Sequence, residues 1–304
     1  MRWAKWLLLG MLLAGFASQS SAQAVGSANK AEAIAKGAGR VAVNGGGELE
    51  YRVIGTGEAV LLIHGAVFAA AFDPLLTEAG LSKYKVITYH RRGYAGSTRA
   101  NAPFTIAQQA ADAVALLDRL GVPRAHLVGH SYGGAIALQL ATTYPDRVAS
   151  LSLLEASFMP PTPAAQELFG HLTAATAIYN AGDARGAIAR FTAGVAGPNT
   201  FEAMPPAMQN QAVADAATFF TVEVPAAQLW VFNNADLAKL PFPMLAVVGA
   251  NTNPAFRDGH NLVRQTVPSA EELVVTGAGH ELQMSQPRFV AEGIAAFLRK
   301  HPIR

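Results

Sequence analysis

The chain has 304 residues, 51% hydrophobic and 14% charged, which suits one large α/β domain with an insertion and excludes an extensively disordered protein. The 23 basic and 21 acidic residues leave a formal charge of +2, and Arg2 and Lys5 account for all of it. Without that pair there is no basic footprint for nucleic acid or an anionic membrane surface, so a small, largely uncharged substrate is expected. Cysteine is absent, which excludes disulfides, thiol nucleophiles and cysteine-based metal sites.

In chain order, Arg2 and Lys5 precede an apolar run from Leu7 to Phe16, and the small-residue stretch ASQSSAQA follows. This is the layout of a secretory signal over residues 1–24, with cleavage after Ala24. The apolar run is shorter than the roughly 20 residues that span a bilayer, so export to the periplasm or beyond, without a stable membrane anchor, is expected. Residues 25–40 show no apolar period and read as a flexible N-terminus.

RVAVNGGGELEYRVIG then reads as two strands joined at Gly45-Gly46-Gly47, a turn and not a phosphate loop. AVLLIHG, KVITYH, AHLVGH and VASLSLLE are short continuous apolar runs, as expected of strands buried on both faces of a parallel sheet. FTIAQQAADAVALLDRLG and YGGAIALQLATTYP carry helical periodicity and end at Gly or Pro. Alternating strands and helices predict a doubly wound, mostly parallel α/β sheet.

From about Met159 the strand signal gives way to alanine-rich, helix-period segments, and it resumes with PMLAVVGA, ELVVTGAGH and a closing helix in PRFVAEGIAAFLRKH. A core of residues 41–158 and 241–304 is therefore expected, with a helical lid of residues 159–240 over the carboxyl edge of the sheet, where open α/β sheets bind ligands.

Gly129-His130-Ser131-Tyr132-Gly133 fits G-x-S-x-G between a strand and a helix. The glycines allow the close approach of strand and helix that pushes a serine hydroxyl out at the sheet edge. Ser131 is thus the expected nucleophile, with the alternative of a plain glycine-rich turn. The Tyr132 N–H is an expected oxyanion donor, and Ala66, after His64-Gly65, supplies the second. His64 has two readings, a base or a brace for this loop, and the brace is favoured. His280 ends VVTGAGH on a glycine-flanked loop, where an imidazole suits the work of a general base. The other histidines read as structural or surface residues. No metal-ligand spacing such as H-E-x-x-H occurs, so neither metal nor cofactor is expected.

His64-Gly65, HRRGYAGS (90–97), GHSYGG (129–134) and GAGH (277–280), in this order, resemble the α/β-hydrolase superfamily over roughly residues 41–300. The resemblance implies a lidded α/β-hydrolase fold and a Ser, acid, His triad. Many members place an aspartate shortly after the penultimate strand, but Gly249-Ala250-Asn251-Thr252-Asn253-Pro254 has no carboxylate. Glu155, at the end of VASLSLLE, resembles the alternative acid position of some haloalkane dehalogenases and is the expected acid, against the alternative of a glutamate at the lid entrance. Asp236 and Asp258 are the fallbacks.

A serine at position 131 does not suit dehalogenase or epoxide hydrolase chemistry, which in those relatives runs through an aspartate. Ester hydrolysis is the expected activity, with lactone or carbon–carbon bond hydrolysis, acyl transfer and non-catalytic ligand binding as alternatives. Phe158, Phe191, Phe219, Phe220 and Trp230 are candidates for an apolar pocket, or for plain core.

Overall fold

The continuous apolar runs become parallel strands with every residue buried: β3 (Ala59–Ile63), β5 (Ala125–His130), β6 (Val148–Leu154) and β7 (Met244–Gly249). With β1 (Ala38–Ala42), β2 (Glu48–Ile54), β4 (Lys85–Tyr89) and β8 (Glu271–Val275) they form an eight-stranded sheet in the order β1-β2-β4-β3-β5-β6-β7-β8. β2 pairs with β4 antiparallel, and from β4 to β8 every pairing is parallel. The computed structural model describes residues 37–99 and 102–303. The expected secretory segment lies outside them. The chain divides into a first unit, Met1–Ala38, of which Gly37 and Ala38 are described, and a second, Gly39–Arg304.

β1 begins inside the stretch expected to be flexible. The reason is tertiary: Arg40 Nε donates to Glu48 at 3.0 Å and its Nη1 to the Gly96 carbonyl, 56 positions away, at 2.6 Å.

Because strand side chains alternate faces, the sheet divides its apolar residues between two layers. Leu61, Ile63, Leu127 and Leu151 pack with helices α1 (Ile106–Arg119) and α2 (Tyr132–Thr143). Val60, Leu62, Val128 and Val247 join the opposite cluster, which the C-terminal helix completes with Val290, Ile294 and Leu298. Helix α1 starts where Thr105 and Gln108 cap each other reciprocally.

Between β6 and β7 the expected insertion is helical: α3 (Pro163–Asn180), α4 (Ala184–Ala196), α5 (Pro206–Ala217), a π-helical turn (Thr218–Glu223), α6 (Val224–Leu229) and α7 (Asn234–Leu237). Then come α8 (Pro254–Thr266), α9 (Leu282–Ser285) and the C-terminal α10 (Pro287–Lys300). Among the described residues, no helix is long and apolar enough to cross a membrane.

The strand order makes the site. From β3 the chain turns to one side to form β4, then crosses back to form β5 on the other side. Their carboxyl ends therefore diverge, and a crevice opens between the loops after β3 and β5.

Helix α2 can start there only because Gly133 has no side chain: a Cβ would press into the carbonyl oxygens of Ile63 and His64. Gly133→Ala is expected to cost about 3 kcal/mol through that overlap. Gly170, in α3 with open space around its Cβ position, is the contrast: Gly170→Ala is expected to be neutral or stabilising by up to about 1 kcal/mol. Denaturant unfolding of both variants measures the difference.

Candidate active site

Each expected residue stands at the carboxyl end of a strand. Ala66 follows β3, Ser131 follows β5, Glu155 follows β6 and His280 lies beyond β8. Ser131 adopts φ 52° and ψ −122° at the start of α2, with its N–H bonded to the Leu154 carbonyl at 3.0 Å. Val67 and Glu155 also have positive φ, 68° and 45°. Such backbone costs of order 1–3 kcal/mol per residue and persists only where surrounding structure enforces it.

The Glu155 side chain is fully removed from solvent and accepts three hydrogen bonds, from the Gly249 N–H (2.7 Å), the Thr252 hydroxyl (2.6 Å) and His280 Nδ1 (2.7 Å). A carboxylate only accepts, so Nδ1 of His280 carries the proton and Nε2 is left with its lone pair. Thr252 belongs to the loop after β7 and supplies a donor to a carboxylate that stands one strand away.

The His280 ring stacks on Phe256 at 3.8 Å and faces His130 at 4.7 Å. His130 Nε2 donates to the His280 carbonyl at 2.9 Å, and its Nδ1 accepts from Gln283 at 3.1 Å. With both nitrogens engaged, His130 is the neutral tautomer, and burial, with His280 beside it, lowers its pKa well below the usual histidine range.

Ser131 and His280 line one cavity of about 410 Å³, with the Ser157 hydroxyl 3.5 Å from Ser131 Oγ. Among the described residues, Ser131 Oγ makes no hydrogen bond to His280, and the Ala66 and Tyr132 amides have no partner. The far wall comes from the helical insertion, including Leu168 of α3, Phe191 of α4, Phe219 of the π turn and Val224 of α6. Of the five candidate pocket aromatics, Phe191, Phe219 and Trp230 line this cavity. Phe158 instead packs on Phe232 in the core, and Phe220 stacks on Tyr179.

His64 is a brace. Its Nδ1 donates to the Gly65 carbonyl at 2.7 Å and its Nε2 accepts from the Arg91 N–H at 3.0 Å. Burial, and then the charge of Arg91, lower its pKa well below the usual range. Asp236 pairs with the neighbouring Lys239, and Asp258 lies on α8. Neither has a recorded bond to His280.

A buried ion pair that no motif discloses, Arg91 with Glu223, joins the core to the helical insertion. Arg91 also donates to the His64 and Gly65 carbonyls at 3.0 and 2.8 Å, and the Tyr94 hydroxyl donates to Glu223 at 2.6 Å. Burial opposes the charge on Arg91, but the facing Glu223 carboxylate, and then Tyr94, hold its pKa above the ordinary value. This network backs the loop that carries Ala66. A single carboxylate in the apolar run FFTVEVP is the available signal for Glu223, since a buried carboxylate requires a partner. No group of three or more side chains suited to a metal ion occurs among the described residues.

Comparison with known proteins places the chain in context. The profile of the alpha/beta hydrolase fold family matches residues 58–287. A putative carbamate hydrolase RutD of Variovorax paradoxus (strain S110) is 46% identical over 116 residues, 37% of this chain and 44% of that protein, so the match spans less than half of that relative. The dihydrolipoyllysine-residue acetyltransferase component of the acetoin cleaving system of Pseudomonas putida is 29% identical over 97% of this chain and 80% of its own length. Among solved structures, a thermophilic esterase from Thermogutta terrifontis is similar with a TM-score of 0.73 at 26% identity, covering 87% of this chain and 100% of that one.

Two outcomes follow. Replacing Glu223 with Gln leaves Arg91 buried without its counter-charge, and stability is expected to fall by about 3–5 kcal/mol, read from the urea midpoint. For His64, a folded pKa held below the unfolded value of about 6.5 means that the unfolded state binds the extra proton; its stabilisation is complete above that pH and is lost as pH falls. Between about pH 7 and 5.5, wild type is therefore expected to lose roughly 1 kcal/mol more unfolding free energy than His64→Asn. Denaturation at the two pH values measures it.

Proposed function

Since the chain belongs to the α/β hydrolase fold family, we propose that this enzyme is a serine hydrolase that cleaves a small ester through an acyl-enzyme on Ser131. The observation that carries this reading is the 2.7 Å bond between Glu155 and His280 Nδ1, because it leaves Nε2 as the free base on the wall of the cavity that Ser131 shares.

In the first step Ser131 Oγ attacks the ester carbonyl while His280 Nε2 takes its proton. The tetrahedral oxyanion is held by the Ala66 and Tyr132 N–H groups, each typically worth about 3–4 kcal/mol. The intermediate collapses as the alkoxide leaves with the proton from Nε2, and the acyl group stays on Ser131. Water then attacks the acyl-enzyme, with His280 first accepting its proton and then returning it to Ser131. Glu155 stays ionised throughout, fixes the tautomer and offsets the imidazolium charge. Ala66, Tyr132, Ser131, His280 and Glu155 together account for each proton and each developing charge.

An ester needs no group beyond these, since an alkoxide leaves without further assistance. A second reading is transfer of the same acyl group to an alcohol or thiol instead of water. The Pseudomonas relative, similar over 97% of this chain, supports it, and an added alcohol that outcompetes water for the acyl-enzyme distinguishes it.

The test is a panel of short p-nitrophenyl esters with wild type, Ser131→Ala, His280→Ala and Glu155→Gln. The first two are expected to lose roughly 10⁴-fold or more in kcat/KM, and Glu155→Gln roughly 10³-fold or more. A Glu155→Gln variant near wild type refutes the acid assignment. A wild type that a fluorophosphonate fails to label refutes the serine-hydrolase reading as a whole.

A further inference from the structure

Three carboxyl groups stand in or beside the cavity over Ser131, and two are committed. Glu155 holds His280, Thr252 and the Gly249 N–H. Glu223 holds Arg91 and Tyr94. The third, Glu281, follows His280 directly in the chain and lines the same cavity. Among the described residues, its carboxyl accepts no hydrogen bond and forms no ion pair.

Glu281 is closely surrounded by protein yet only half-buried as a residue, the combination expected of a side chain that faces an internal cavity. Burial raises its pKa; the neighbouring His280 lowers it and Glu155 raises it further. A carboxylate enclosed without a donor is costly, and a ligand that supplies a charged N–H donor removes that cost. The opposite wall supplies no charged donor: Leu168, Phe191 and Phe219 are apolar, Trp230 gives its N–H to Gln139, and Gln228 carries only a neutral amide.

We propose that Glu281 is a specificity-determining residue that accepts a hydrogen bond from a protonated amine on the alcohol portion of the ester. The proposal rests on the ester-hydrolase reading above. The alcohol side is assigned because His280 Nε2 must reach the leaving oxygen to protonate it, so the leaving group lies beside His280 and within range of the next residue in the chain. The apolar walls then receive the acyl group. This narrows the class expected from composition: the substrate is small and largely apolar, with one positive charge placed where Glu281 meets it, and esters with an anionic alcohol portion are disfavoured.

Dimethylaminoethyl butanoate and isopentyl butanoate have the same shape and differ in one protonated nitrogen. The amine also makes a better leaving group, so each enzymatic rate is divided by the uncatalysed rate of its ester, and the readout is the ratio of the two corrected kcat/KM values. Wild type is expected to favour the amino ester about tenfold, the size of one charge-assisted hydrogen bond, and Glu281→Gln to bring the ratio to within about twofold of unity. Glu281→Asp is expected to keep part of the preference. Because each ratio is taken within one protein preparation, partial misfolding of a variant does not imitate the result. An unchanged ratio in Glu281→Gln, with isopentyl butanoate still hydrolysed by wild type, overturns the role of Glu281 and leaves the ester reading standing. Failure of wild type to hydrolyse either ester overturns the ester reading, and the role of Glu281 with it.

Discussion

A carboxylate with no access to water must be satisfied where it stands, and Glu155 meets that demand with three donors from two segments of the chain. Its partners come from the end of β7, from the loop that follows and from the loop after β8. Losing one of them leaves part of a buried charge unsolvated. The three strand ends are thereby held in register around a single group. The orientation of His280, and hence the availability of its Nε2, follows from this constraint.

The same logic operates on the other side of the crevice. Arg91 is buried beneath the loop after β3, donates to two carbonyls of that loop and meets Glu223 from the helical insertion. The pair does not add much net stability, because desolvation offsets most of its attraction. Its effect is positional: the insertion cannot shift over the cavity without uncovering a charge. Tyr94 extends the arrangement, since its hydroxyl donates to Glu223 and lies 3.4 Å from the Val67 N–H, next to Ala66. Core and insertion thus share one buried polar network beside the loop that carries Ala66.

Between these two anchors the cavity wall is mostly apolar, and Glu281 stands in it as a carboxyl that accepts no hydrogen bond among the described residues. An apolar pocket with a small number of aimed polar groups is the usual form of a small-molecule site. The backbone strain at Val67, Ser131 and Glu155 falls on the same rim, where the surrounding glycines and hydrogen bonds enforce it.

Much of this was legible in the sequence for a definite reason: a buried parallel strand has to be continuously apolar, and a turn that admits a helix against a strand has to be glycine. Those local rules located β3, β5, β6 and β7, the Ser131 turn, and the loops carrying Ala66 and His280. They also made Glu155 a candidate, because it ends a strand at the edge where ligands bind. The pairing of residues far apart in the chain left no comparable local signature. Arg91 meets Glu223 across 132 positions and His130 meets Gln283 across 153, and Thr252 became a donor to Glu155 only when β6 and β7 lay side by side. Which aromatics faced the cavity and which filled the core was likewise a matter of helix packing, since helical spacing is the same for both. Sequence set the elements and the chemistry at their ends; tertiary structure decided which charges would meet, and left Glu281 facing open space.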